Sequence, residues 1–195
     1  MGKIVVCTMV SLDGYVEGPG GDIMAMPMDE AFARHNIDRA RSASSFLFGA
    51  TTYRGALTYW PAQHGNPDAH PLDHYIAKRY ADGIPITVVS DTLTAAETGP
   101  WRDQTTIVRR ADSHEAVAKL RARDGDALMF GSLALWTDLM ANGLVDELHL
   151  MIGPKTVAGD RRVFTGVPET ALRLVGVRTW GGSDNVVLSY ATNQG

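Results

Sequence analysis

Near its start the chain carries an unbroken apolar stretch, Ile4 to Val10 (IVVCTMV), rich in β-branched side chains and without polar alternation. A strand with one face in water alternates, whereas a strand apolar throughout has both faces covered. This requirement selects a sheet held between layers of other structure, most simply a parallel sheet with helices on both sides. Comparable runs recur at "SFLF" before Gly49, Ile84 to Ser90, Thr105 to Val108, "ALMF" before Gly131, and Glu147 to Ile152.

Helical patterns fill the gaps. Asp29 to Arg41 predicts a helix with Phe32, Ile37 and Ala40 on one stripe and Asp29 and Glu30 at its positive end. Pro71 opens another through Tyr80, Ser113 to Arg123 a third with Ser113 as N-cap, and Leu133 to Met140 a fourth facing inward through Leu133, Trp136, Leu139 and Met140. "SLDGYVEGPGGD" is loop chemistry, and Pro61 to Pro71 reads as a polar connection. Ala171 to Thr179 and Asn185 to Ala191, joined through "WGGSD", form a hairpin. The expected fold is a single three-layer α/β domain over residues 1–195, with a mainly parallel central sheet and a C-terminal antiparallel hairpin.

With 45% hydrophobic and 21% charged residues and a net charge of -4, the chain lacks the concentrated basic field of a nucleic-acid binder. Arg109/Arg110 and Arg161/Arg162 read as solvated faces. No window approaches about 18 uncharged apolar residues and no signal-like segment opens the chain, so no membrane partner and a cytoplasmic location are expected. The single cysteine, Cys7, excludes an intramolecular disulfide and reads as a small buried hydrophobe.

Function is expected where the strands end. In open α/β sheets ligands bind beyond the carboxyl ends of strands, where helix N-termini present free N–H groups and partial positive charge. Glycine lets a ligand approach the backbone, and a hydroxyl adds a donor. Gly49 to Thr52, Gly131 with Ser132, and Ser90 mark three such ends and suggest an extended phosphate ligand such as a dinucleotide. Neither a GxGxxG spacing leading into a helix nor GxxxxGK[ST] is present, which disfavours Rossmann and P-loop sites. No GxSxG elbow accompanies Ser11. His64, His70 and His74 lack a zinc-site pattern, because Pro71 interrupts them and no glutamate is near. No metal is expected.

These segments resemble the dihydrofolate reductase-like superfamily, and within it the reductase domain of bacterial riboflavin biosynthesis (the RibD C-terminal domain). The resemblance rests on "SLDGYVEGPGGD", "FLFGATTYRG" with "YWP", "TVVSDTL", "FGSLALWTDLMANGLVDELHLMIGPKTVAGDRRVF" and the final hairpin, in that order. It implies a sheet of about eight strands, an NADPH or NADH cofactor, a small heterocyclic (pteridine, pyrimidine or folate-like) or carbonyl substrate reduced by hydride, and a homodimer. Carried over by position, Gly49, Ala50, Thr51 and Thr52 receive the pyrophosphate, Ser90 and Asp91 approach the adenosine ribose, and Gly131, Ser132, Leu133 and Ala134 meet the pyrophosphate and nicotinamide side. Ala50 and Asp91 stand where the family commonly has basic residues suited to a 2′-phosphate, which weakens the expected NADPH preference. Asp13 is the candidate catalytic residue, orienting substrate or assisting its protonation, with Asp29 and Glu30 as alternative carboxylates. Tyr15 and Trp60 are candidates for an aromatic substrate wall. A non-catalytic ligand binder on the same fold is the rival expectation.

Overall fold

The computed structural model describes residues 1–192. Its strands are β1 (Ile4–Ser11), β2 (Ala43–Gly49), β3 (Ile86–Val89), β4 (Thr105–Val108), β5 (Asp126–Phe130), β6 (Glu147–Gly153), β7 (Leu172–Arg178) and β8 (Val186–Thr192). Its helices are α1 (Glu30–Ser42), α2 (Ala50–Gln63), α3 (Pro71–Ala81), α4 (Ser113–Arg121) and α5 (Leu133–Ala141). All eight strands form one sheet in the order β4-β3-β2-β5-β1-β6-β8-β7. The strands from β4 to β6 pair in parallel, and β8 runs antiparallel to both β6 and β7.

Side chains of β1 explain its apolar run. Ile4 and Val6 join the core under α4 and α5, with Met129, Trp136 and Leu139, whereas Val5 and Cys7 join the core under α1, α2 and α3, with Ile37, Phe46, Tyr80 and Leu128. A third cluster, Met9, Met26, Met151 and Val187, closes one end of this second face. Both faces are dry, as the absence of alternation requires.

Local chemistry moves several boundaries. β3 begins at Ile86 rather than Ile84, because the Ile84 N–H closes the end of α3 on the Arg79 carbonyl at 3.2 Å, past Gly83 at φ +83°. Ser113 is the first residue of α4, not its cap: its hydroxyl donates to the Arg110 carbonyl at 2.7 Å. α2 carries on through Pro61 to Gln63, its last turns held by Tyr59 donating to Asp73 at 2.7 Å and by Trp60 stacking on Tyr80. Asp29 does cap α1, accepting from the Phe32 N–H at 3.1 Å.

Leu128 sits at the centre of β5, essentially without solvent contact. Leu128→Ala should lower unfolding stability by about 2 to 5 kcal/mol, through lost transfer energy and the cavity left behind. Leu128→Met, which keeps the volume, should cost less than about 1.5 kcal/mol. Urea unfolding of the two variants checks both figures.

Candidate functional site

β2 and β5 are neighbours in the sheet although about 80 residues separate their ends, so the two glycine corners of the sequence meet. The Gly49 N–H donates to Ser132 Oγ at 3.1 Å, and the Ser132 N–H donates to Thr52 Oγ1 at 3.0 Å. Gly131 is left-handed at φ +57°; a Cβ there would meet only Thr52 at 3.5 Å, so conformation rather than space calls for glycine. Ser132 is also left-handed, at φ +55° and ψ +41°, a geometry that costs a non-glycine residue about 1 to 3 kcal/mol and that these two hydrogen bonds hold.

The consequence is two adjoining helix starts without side-chain caps. Neither Gly49 at α2 nor Ser132 at α5 caps its own helix through a side chain. The first-turn N–H groups of Ala50, Thr51, Leu133 and Ala134 have no acceptor within their helices and lie at the positive ends of both dipoles. Gly131, Thr51 and Ala134 are exposed and Ala50 is half-buried, so ligand can reach this edge. A diphosphate suits such a cradle, and the residues present fit a dinucleotide's central group.

At the end of β3 the chemistry is partly committed. Ser90 is buried, and its hydroxyl accepts from the Thr92 and Leu93 N–H groups at 3.1 and 2.9 Å. Exposed Asp91 accepts from the Arg110 N–H at 3.0 Å and lies 3.7 Å from the Arg110 guanidinium, while Arg109 donates to the Ser90 carbonyl at 3.2 Å. Arg109 and Arg110 are exposed, in keeping with a solvated face, and they reach this corner because β4 lies beside β3. Their adjacency to Ser90 and Asp91 depends on that pairing, and the residues alone carry no signal of it. Arg54 is engaged with Glu97 at 2.8 Å.

Asp13 lies where β1 gives way to its loop. Its carboxylate accepts from the Ala158 N–H at 2.9 Å and the Val157 N–H at 3.1 Å. The Ser11 hydroxyl first, then these N–H groups, hold its pKa down at about 2. The carboxylate is therefore ionised at neutral pH and tied to the Val157 and Ala158 N–H groups that hold the loop. Arg161 and Arg162 are exposed, as a solvated face requires, and also join this clasp: Arg161 forms an ion pair with buried Glu17, and Arg162 lies 4.5 Å over the Tyr15 ring.

Tyr15 and Trp60 do not form one wall. Trp60 is near the far end of α2, roughly 16 Å along the axis from Gly49 at 1.5 Å per residue. It stacks there against Tyr80, itself stacked on Trp101. Trp60 is thus a packing residue of the helical layer, while Tyr15 stays at the carboxyl edge. Asp29 is likewise committed, receiving Ser183 Oγ at 2.6 Å and Asn185 Nδ2 at 2.9 Å. The exposed Glu30 pairs with Arg34.

Residues 2–187 match the family described as the RibD C-terminal domain. The chain belongs to this family. A relative of this RibD C-terminal domain, the uncharacterized protein YyaP of Bacillus subtilis (strain 168), is 25% identical over 190 residues, covering 91% of this chain and 89% of YyaP. A pyrimidine reductase-like protein from Corynebacterium diphtheriae superposes with a TM-score of 0.66 at 17% identity, over 100% of this chain and 93% of that one. Dihydrofolate reductase from Enterococcus faecalis, solved with NADP(H), superposes with a TM-score of 0.57 at 13% identity, over 98% and 97% of the two chains. The fold is dihydrofolate reductase-like, and among the described residues no helix is long and apolar enough to cross a membrane.

The Asp13 clasp has a pH signature. Its folded pKa of about 2 lies below the ordinary 3.8, so its contribution is complete above that ordinary value and is lost as pH falls toward 2. Asp13→Asn should flatten the stability profile between about pH 4 and pH 2 and leave the slope at neutral pH unchanged. Thermal unfolding across that range, variant against parent, checks it.

Proposed function

We propose that this RibD C-terminal domain is a reductase that takes hydride from a nicotinamide dinucleotide and delivers it to a small heterocyclic substrate of pyrimidine or pteridine type, or to a small carbonyl compound. The observation that carries the reading is the pair of uncapped helix starts locked together by Gly49, Thr52 and Ser132. Ala50, Thr51, Leu133 and Ala134 would hold the dinucleotide's diphosphate, and Ser90 and Asp91 would face its adenosine ribose. When bound, the cofactor supplies hydride from its nicotinamide ring. The chain supplies the anion cradle and a substrate edge at Tyr15, where Asp13 fixes the loop. The exposed apolar side chains Leu174, Val175 and Val177 of the outermost strand support a homodimer through the hairpin edge.

Cofactor binding should stabilise the fold by about 2.7 kcal/mol at 100 times the dissociation constant, a visible rise in melting temperature. Ser132→Asp, which sets a carboxylate beside the diphosphate, should abolish the rise. Absence of any rise with millimolar NADH or NADPH would overturn the cofactor reading. A rise with no oxidation of NAD(P)H against a panel of pyrimidine, pteridine, folate and carbonyl substrates would favour the non-catalytic binder.

Cofactor selectivity follows from the ribose corner. A missing arginine at Ala50 removes a charge-assisted hydrogen bond to a 2′-phosphate, typically about 1.5 to 3 kcal/mol, or roughly tenfold or more in affinity. Arg110 offsets part of the Asp91 charge, which favours comparable NADH and NADPH affinities over strong rejection of NADPH. Ala50→Arg with Asp91→Arg should shift preference toward NADPH about tenfold or more. Titration of both cofactors into both proteins tests this; strong NADPH selectivity in the parent, unchanged by the substitutions, would place the ribose elsewhere.

A further inference from the structure

Inside the layer between the sheet and α1, three polar side chains converge. Cys7 is on β1, His149 sits directly opposite it on β6, and His35 projects from α1; each is only 5% exposed. One ligand-type atom from each falls within 4.8 Å of the others. Cys7 Sγ and His35 Nε2 are 4.0 Å apart, and the two imidazole rings lie 5.4 Å centre to centre.

Packing alone leaves this cluster unsatisfied. His35 Nδ1 is buried without a hydrogen-bond partner, and a thiol at 4.0 Å is a poor partner for Nε2. An apolar interior gains nothing from an imidazole in that condition. His149, by contrast, is held on both sides: Nδ1 is 2.9 Å from Ser189 Oγ and Nε2 is 3.3 Å from Glu147 Oε2. A hydrogen-bond acceptor on the outer nitrogen orients a metal-ligating histidine, and the Ser189 hydroxyl stands in that position.

We infer that Cys7, His35 and His149 form a buried site for a borderline-soft divalent transition metal, best suited to zinc, as three protein ligands with a fourth position for a water. Zinc bonds of about 2.3 Å to sulfur and 2.0 to 2.1 Å to nitrogen set ligand atoms roughly 3.3 to 3.8 Å apart. The site needs to contract by only a fraction of an ångström at the Cys7–His35 pair. On binding, the Cys7 thiol gives its proton to solvent as the metal–sulfur bond forms, and the His149 ring proton resides on Nδ1, donated to Ser189, freeing Nε2. No redox step is involved. The Cys7 thiolate offsets one charge of a divalent ion, and the Glu147 carboxylate, 3.3 Å from His149 Nε2 and paired with Lys3 at 2.5 Å, lies beside the site.

The inference is independent of the reductase reading, and its test uses cobalt(II) as the probe on the whole chain after chelator treatment and dialysis. Expected are one equivalent bound, a thiolate-to-metal charge-transfer band, bleaching of the cobalt spectrum by one equivalent of zinc, and a raised melting temperature with either ion. Cys7 is the single cysteine of the chain, so that band in the unmodified protein reports this site without recourse to any variant. Cys7→Ala should remove the band. Ser189→Ala, which loses the positioning hydroxyl, should weaken binding by about 10- to 100-fold while keeping the band at saturation. His70→Ala with His74→Ala, outside the cluster, should change neither. Cobalt binding with no thiolate band, cobalt lost in the His70/His74 variant, or no stoichiometric binding at all would overturn the proposal.

Discussion

Burial of the central strands on both faces is the constraint from which the rest of this structure follows. β5 lies between β2 and β1, each with helices above and below, so its side chains Leu128 and Met129 enter different cores and neither face meets water. A sheet built this way has little surface left for solvated ligand chemistry except its ends. At the carboxyl ends the helices of the crossovers begin, and their orphan N–H groups make that edge the part of the sheet suited to an anion. The location of the anion cradle is thus a consequence of the packing.

The clasp between Gly49, Thr52 and Ser132 turns this general tendency into a particular geometry. An ordinary helix start satisfies its first N–H groups with its own cap residue. Here the Ser132 hydroxyl is given to the neighbouring corner, and the Thr52 hydroxyl is given back to the Ser132 N–H. Each helix therefore keeps free donors, and the two are locked at a fixed separation. The left-handed backbone at Gly131 and Ser132 is the strain that makes the exchange possible.

The strands, the order of elements and the glycine-serine corners were legible in the sequence because they are local: apolar runs, period and turn chemistry act over fewer than about a dozen residues. Properties that depend on strand order were not. Nothing within "VRRAD" indicates that Arg110 will face Asp91, since this follows from β4 pairing with β3. Trp60 had the composition of a binding-site aromatic and the position of a packing one, which only the direction of α2 reveals. Arg161 and Arg162 are solvated charges, but their contacts with Glu17 and Tyr15 depend on how the loops after β1 and β6 meet. Cys7 read correctly as buried, yet its two imidazole neighbours lie 28 and 142 positions further along the chain.

The two polar regions share one residue and differ in the charge they suit. The Gly131 N–H donates to the Cys7 carbonyl at 3.3 Å, so β1 supports the anion cradle through its backbone while its side chain faces the imidazoles. The edge offers unpaired donors and suits an anion; the interior offers a thiol, imidazoles and a carboxylate and suits a cation. A shared element carries coupling only if it has two arrangements that both sites bias. β1 is paired along its length with β5 and β6 and packed on both faces, which makes it a fixed reference rather than a switch. Occupancy of the interior site should therefore pin α1 to the sheet and raise the stability of the whole domain, leaving the geometry of the carboxyl edge as it is.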